Sequence, residues 1–221
     1  DYMPQHEALL SRLADDVPAV TAVHHFPERA FSEFTIVTRD RPGLFAMITG
    51  TLRSHGMGIL GAAITTSSAG RVVDVFRIGH GENPEIVLEP ERWERVQVSL
   101  EKVLKGEVEV EQLMSAARQP SFMRRRVVPH VETGIEIDNS VSDQFTVIDV
   151  YTQDRVGVLF TIANTLYHLG IDIHLAKITT NVDQVLDVFY VTDARGQKLE
   201  SKERLDEIRD VLLRRLLETG E

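Results

Sequence analysis

The chain repeats itself at an offset of 114 residues, the distance from Asp40 to Asp154, and no other feature restricts its fold as much. Thr38-Arg39-Asp40-Arg41-Pro42-Gly43-Leu44-Phe45 is echoed by Thr152-Gln153-Asp154-Arg155-Val156-Gly157-Val158-Leu159. The register then holds through Ile48 and Ile162, Leu52 and Leu166, Gly56 and Gly170, Ile59 and Ile173, and Ala62 and Ala176. Ile64-Thr65-Thr66 matches Ile178-Thr179-Thr180 and, after a one-residue gap in a turn, Asp74-Val75-Phe76 matches Asp187-Val188-Phe189. A chain of 221 residues that copies itself in this way holds two small domains, not one large one.

Periodicity assigns the elements of each copy. Phe34 to Thr38 and Gln144 to Thr152 are rich in β-branched and aromatic residues and read as strands. A helix follows each loop glycine, because Leu44, Phe45, Ile48 and Leu52, like Leu159, Ile162, Ala163, Leu166 and Leu169, recur at spacings of three and four. Gly56 and Gly170 stand where a left-handed residue ends such a helix. Two hairpins come next: Ile59 to Ser67 with Val72 to Ile78, and Ile173 to Asn181 with Val185 to Thr192. A second amphipathic helix closes each copy, from Pro90 to Leu104 and from Ser201 to Leu217.

Strand, helix, strand, strand, helix is one strand short of the split βαβ, ferredoxin-like unit. The missing strand is expected upstream of each copy, in Ala19 to Phe26 and His130 to Ile137, where a short turn can fold it antiparallel against the first strand. The expected fold class is therefore α+β: two tandem, circularly permuted ferredoxin-like domains, each a four-stranded antiparallel sheet with two helices on one face. The boundaries are set at 1–15 for the tail of a preceding domain, 16–118 for the first copy, 119–126 for a linker, and 127–221 for the second copy. Unpaired edge strands invite the copies to pair with each other or with another chain.

Composition removes several classes of function. A net charge of −10 repels polyanions, so nucleic acid is not expected as a partner, and Arg124-Arg125-Arg126 reads as a solvated linker. The absence of cysteine excludes disulfides, thiol catalysis and thiolate zinc sites, and suits a reducing, cytoplasmic setting. No apolar run has the length of a membrane span. The start at Asp1, with neither an initiator Met nor a signal pattern, suggests a piece of a longer protein. The histidines lack metal-ligand spacing, since His24-His25 alternate across a strand and His55, His80, His130, His168 and His174 are scattered. Neither a metal site nor a catalytic residue is assigned to this chain, which is expected to have no enzymatic activity of its own.

The Asp-Arg-Pro-Gly-Leu loop, the helix-ending glycines, the Ala-Xaa-Ile-Thr-Thr strands and the Asp-Val-Phe strands together resemble ACT domains, small-molecule sensors of amino-acid metabolism. The stretches from Phe34 to Phe45, from Arg124 to Ile135, and from Ala176 to Thr180 followed by Asp187 to Leu199 further resemble the C-terminal part of the bacterial P-II uridylyltransferase/uridylyl-removing family. That resemblance runs from about Ala19 to the end, with residues 1–15 similar to the tail of an HD-type hydrolase domain. It implies a bifunctional parent with nucleotidyltransferase and phosphodiesterase domains upstream, dependent on magnesium or another divalent metal and acting on the P-II signalling protein. It also implies glutamine as the effector sensed by the tandem domains, with no cofactor in this region. Val156 departs from the family pattern, standing where the first copy has Pro42, and its freer φ loosens the second loop.

An amino-acid effector is a zwitterion and needs donors for its carboxylate and an acceptor for its ammonium. Helix N-terminal amides supply the first, a glycine lets the ligand approach the backbone, and an aspartate supplies the second. The candidate ligand residues are thus Asp40, Arg41, Gly43 and Leu44 in the first loop and Asp154, Arg155, Gly157 and Val158 in the second. The same residues also fit a purely local reading, in which the aspartates cap the helices and the glycines make a positive-φ turn. Arg41 and Arg155 read as exposed charges, and Asp74 and Asp187 as strand residues facing solvent or a neighbouring domain.

Overall fold

The computed structural model describes residues 3–67, 69–80, 86–117, 132–153, 157–181 and 184–218. The first copy runs β1 (Ala19–Phe26), a single 3-10 turn (Pro27–Arg29), β2 (Phe31–Arg39), α2 (Leu44–Ser54), β3 (Met57–Thr66), β4 (Arg71–His80) and α3 (Pro90–Leu104). A helix, α1 (Met3–Arg12), precedes it, and a short one, α4 (Val110–Ala116), follows. The second copy runs β5 (Gly134–Asp138), β6 (Thr146–Gln153), α5 (Val158–His168), β7 (Ile171–Asn181), β8 (Gln184–Asp193) and α6 (Lys202–Glu218).

All eight strands join one antiparallel sheet in the order β1-β2-β4-β3-β7-β8-β6-β5. Each copy is thus a permuted four-stranded unit whose leading strand lies at the outer edge, as the upstream runs require. The strand expected from Ala19 to Phe26 pairs with β2 from Ala19↔Thr38 to Phe26↔Phe31. The one expected from His130 to Ile137 forms at Gly134–Asp138, and His130 and Val131 lie outside the described residues.

The copies meet edge to edge through β3 and β7, where Ala63 pairs with Lys177, its own counterpart in the repeat, between the pairs Ala62↔Ile178 and Gly61↔Thr179. A pseudo-two-fold axis therefore passes beside Ala63 and Lys177. One hydrophobic core spans the seam, from Phe34, Phe76 and Ile48 to Phe189, Ile162 and Ile208. The ring of Phe45 crosses it, stacking on Phe76 at 6.1 Å and meeting Phe189 edge-on at 6.4 Å. Gly50 of α2 provides close approach beneath it: a Cβ there would stand 2.8 Å from Phe160 of α5 and press on Val110 of α4.

Helix ends are made alike in both copies. Gly56 and Gly170 take φ of +65° and +68° just beyond α2 and α5, the left-handed conformation expected of them. Arg92 of α3 donates to the carbonyls of His55 at 3.0 Å and Gly56 at 2.7 Å, and Arg204 of α6 donates to that of Leu169, the counterpart of His55. Both place a cation on the negative end of the helix dipole.

One expectation is corrected here. Asp74 and Asp187 do not face solvent: they share strand parity with Val72 and Phe76 and with Phe189, which point to the helices, and both are fully buried. The opposite face of the first copy is itself partly covered, since Leu9 and Leu13 of α1 and its exit pack on Val20 and Val37.

Candidate functional site

The first loop hangs between β2 and α2. The amide of Asp40 donates to the carbonyl of Gly70 at 2.8 Å, which ties the loop to the β3–β4 turn. Gly43 adopts φ +75° and is itself the residue before the first helical turn, with Leu44 N donating to the Arg41 carbonyl at 3.1 Å and Met47 N to that of Gly43 at 3.0 Å. No side chain caps α2, so Asp40 is not its cap and its carboxylate is left for another role. Arg41 is not a free surface charge either: it is half-buried, and its guanidinium donates to the carbonyl of Leu104 at the end of α3. Leu44 is buried in the core.

The second loop repeats this backbone where it is described. Gly157 has φ +85°, Thr161 N donates to its carbonyl at 3.0 Å, no side chain caps α5, and Val158 is buried like Leu44. Asp154 and Arg155 lie outside the described residues.

Around the first loop lies a shallow cleft with about 30 Å³ of free volume, and it belongs to both copies. Asp40, Arg41, Gly43 and Leu44 form one wall together with Thr66 and Val72. The facing wall comes from the second copy: Tyr167 at the end of α5 and Ile171, Asp172, Ile173 and His174 at the start of β7. The antiparallel β3–β7 pairing brings them together, because it sets the start of β7 beside the end of β3 and the loop above it. Tyr167 rests against Gly43, so that a Cβ on that glycine would lie 2.8 Å from the ring.

The electrostatics of the cleft are acidic. Burial raises the pKa of Asp172, the nearby Asp40 carboxylate raises it further, and His174 opposes them. Beneath the loop, burial raises that of Asp74 well above the usual carboxylate range; a hydrogen bond from the Thr65 amide pulls it down, and Asp40 adds to the rise. One oxygen of Asp74 has no hydrogen-bond partner. A carboxylate whose ionisation is disfavoured by burial and a neighbouring negative charge favours a cation brought beside it. The first turn of α2 presents amides that no helical carbonyl can satisfy, and these favour an anion. Charges of both signs thus border the cleft: the carboxylates of Asp40 and Asp172, and the positive end of the α2 dipole. The cleft presents no nucleophile paired with a base, and among the described residues no group of three or more histidines or acids is placed to hold a metal ion.

The four residues named in the first loop thus come together, whereas Tyr167, Asp172 and His174 were not foreseen. Their counterparts in the repeat are Arg53, Gly58 and Leu60, so the repeat pattern carries no mark of them. The available signal was a charged residue at 172 in a run of strand-forming residues, two positions after Gly170, which follows α5.

A family model described as "ACR9-like, ACT-like domain" matches residues 134–219. Sequence, permuted units and paired edges agree: the chain is a tandem pair of ACT-like domains. Over about nine-tenths of its length it is related to bifunctional uridylyltransferase/uridylyl-removing enzymes. It is 35% identical over 196 residues to that of Gluconobacter oxydans, covering 89% of this chain and 20% of the relative. It is 33% identical over 212 residues to that of Azospirillum brasilense (96% and 23%) and 34% over 211 residues to that of Rhodospirillum rubrum (94% and 22%). The chain spans about a fifth of the length of these relatives. A crystal structure of aspartate kinase from Synechocystis aligns with 96% of this chain and 32% of its own, at 15% identity and a TM-score of 0.44. Among the described residues no helix is long and apolar enough to cross a membrane.

Proposed function

We propose that this tandem pair is the amino-acid-sensing, regulatory portion of a bifunctional uridylyltransferase/uridylyl-removing enzyme, and that its effector is glutamine. The observation that carries the reading is the cleft between the copies, whose walls bring Asp40 and the start of α2 from one copy together with Asp172 from the other. In this reading the chain binds and releases and breaks no bond. The transferase and uridylyl-removing activities, their divalent metal and their action on the P-II signalling protein belong to upstream domains in the cytoplasm. The relatives supply that part of the proposal through their names and through the four-fifths of their length that lies outside this chain. A ligand touching both copies can change how they sit together, which gives upstream domains something to read.

The test is a thermal-shift screen of the chain against the twenty amino acids, followed by calorimetry on the one that binds. Glutamine is expected to raise the melting temperature, because it binds the folded state alone. Asp172→Asn keeps the shape but removes a charge-assisted contact with the ammonium, and is expected to weaken binding about tenfold or more. If none of the twenty shifts the transition, or if Asp172→Asn binds as tightly as the wild type, the reading is wrong.

A further inference from the structure

The cleft between the copies is too tight, as it stands, for the kind of molecule it is proposed to take. Its free volume of about 30 Å³ is room for a water molecule, and an amino acid displaces several. A wall must therefore move, and most of the wall is fixed. Phe45, Val72 and Ile171 belong to the buried core. Asp172 is held in the β7–β8 ladder opposite Thr192, whose hydroxyl shares a hydrogen bond of 2.8 Å with Nε2 of His174. Arg41 is tied to the carbonyl of Leu104. Tyr167 differs: it is 39% exposed, it is the next-to-last residue of α5, and the ring it meets there, His168 at 5.4 Å, is exposed as well. We propose that Tyr167 is the gate of this cleft, its ring covering Gly43 in the closed form and swinging into solvent to admit an effector.

Volume and geometry carry the argument. A Cβ on residue 43 would stand 2.8 Å from Cδ2 and 2.9 Å from Cε2 of the ring, so Tyr167 occupies space that only a glycine leaves free. A phenol ring is comparable in bulk with the side chain of glutamine, and its departure opens that space without disturbing a buried residue. Exposed side chains change rotamer within picoseconds to nanoseconds, so the gate needs no backbone motion. The closed form competes with the effector: the apparent dissociation constant exceeds the intrinsic one by the inverse of the fraction of chains whose ring is out. Because Tyr167 belongs to α5 of the second copy and Gly43 to the loop of the first, the ring also bridges the copies, and an entering effector takes over that bridge. The proposal rests on the sensing role above for what enters, but not for the movement of the ring.

Two measurements test it. In calorimetry with L-glutamine, Tyr167→Ala is expected to bind about tenfold more tightly than the wild type, because no closed form is left to compete. Equal or weaker binding by Tyr167→Ala would make the ring a bystander or a ligand contact, and would overturn the gate. Fluorine NMR of the chain labelled with 3-fluorotyrosine follows the ring itself, with Tyr167→Phe assigning its signal among the four tyrosines. Saturating glutamine is expected to move the Tyr167 signal and to enlarge its shift between H2O and D2O, as for a ring in solvent. Glutamine that binds and leaves this signal in place would overturn the proposal. Gly43→Ala tests the ring without any ligand, since its Cβ takes the space of the closed form and the strain of one left-handed alanine is small beside the stability of a folded domain. The signal is expected to move to the same exposed position, and a signal that stays would show that the ring does not yield. A chain that binds none of the twenty amino acids sinks the sensing role, and the Gly43→Ala spectrum then still decides whether Tyr167 can leave the cleft.

Discussion

Gly50→Ala probes the seam that shapes the cleft. Gly50 is buried on α2, and a Cβ there would sit 2.8 and 2.9 Å from Cε2 and Cδ2 of Phe160 and closer still to a methyl of Val110. Carbon atoms prefer separations of about 3.5–4.0 Å, so α5 and α4 must both give way. Overpacking of this kind costs about 1–3 kcal/mol. Alanine returns about 1 kcal/mol through its higher helix propensity. The expected net loss is up to about 2 kcal/mol, read as a lower urea midpoint at unchanged slope, or as a fall of about 2–4 °C in Tm for each kcal/mol in a chain of this size. Phe160→Leu in the same chain is expected to recover part of the loss, because the colliding ring carbons are gone. Since α2 begins at Leu44 and α5 ends beside Tyr167, forcing these helices apart also widens the cleft. A variant more stable than the wild type by the propensity gain alone would show that the seam has room for a methyl group, and would refute the packing argument.

Three further outcomes are expected. Asp74→Asn tests the buried carboxylate: its folded pKa lies above the unfolded value, so the wild type is favoured at low pH and loses stability as pH rises from about 4 through the folded pKa. Urea unfolding between pH 4 and 8 should therefore show the Asn variant gaining on the wild type with rising pH, and a difference that stays flat with pH would contradict the assignment. Gly170→Ala, at φ +68° with nothing within 4 Å, isolates left-handed strain and should cost about 1–2 kcal/mol in the same assay, less than Gly43→Ala, where Tyr167 adds a clash; the reverse order would exclude the Tyr167 contact. Arg92→Ala removes two carbonyl caps at the end of α2 and should lower stability by about 1–3 kcal/mol, with Arg92→Lys recovering less than half; full recovery by lysine would mean that charge alone, not the forked geometry, holds the helix end.

Much of the fold was legible because the repeat supplies two readings of each element. Neither Ala19 to Phe26 nor the run ending at Ile137 is conspicuous alone, but each stands at the same place before its copy, and both form edge strands. Gly43 and Gly157 were legible as turn residues for the same reason. The orientation of Asp74 was not, because Val72, Val73, Val75 and Phe76 put apolar residues on both faces of β4. Both faces need them, one for the helix-covered core and one for the patch under α1, so alternation had no phase. Residues 110–116 form a helix of two turns, too short for a period to declare itself. The cleft was half legible: the loop belongs to one copy and follows from that copy's pattern. Asp172 and Tyr167 enter through the β3–β7 pairing, and an exposed edge announces that it will pair without saying with what.

The side chains about the axis show why two copies in one chain need not work as a symmetric pair. A dimer of identical units would have to place the same residue at 53 and 167, at 58 and 172, and at 60 and 174. Joining the units frees each position. What stays equal is what the backbone requires: a glycine at 43 and 157, where φ is positive, and one at 56 and 170, where each helix ends. What differs lies in the walls that face a ligand, Arg53 against Tyr167 and Gly58 against Asp172. The edge pairing between the copies runs, among the described residues, through three register pairs, against eight for β2–β4 and eight for β6–β8. In the proposed sensing role, a ligand held between Asp40 of one copy and Asp172 of the other would place its contacts across this pairing.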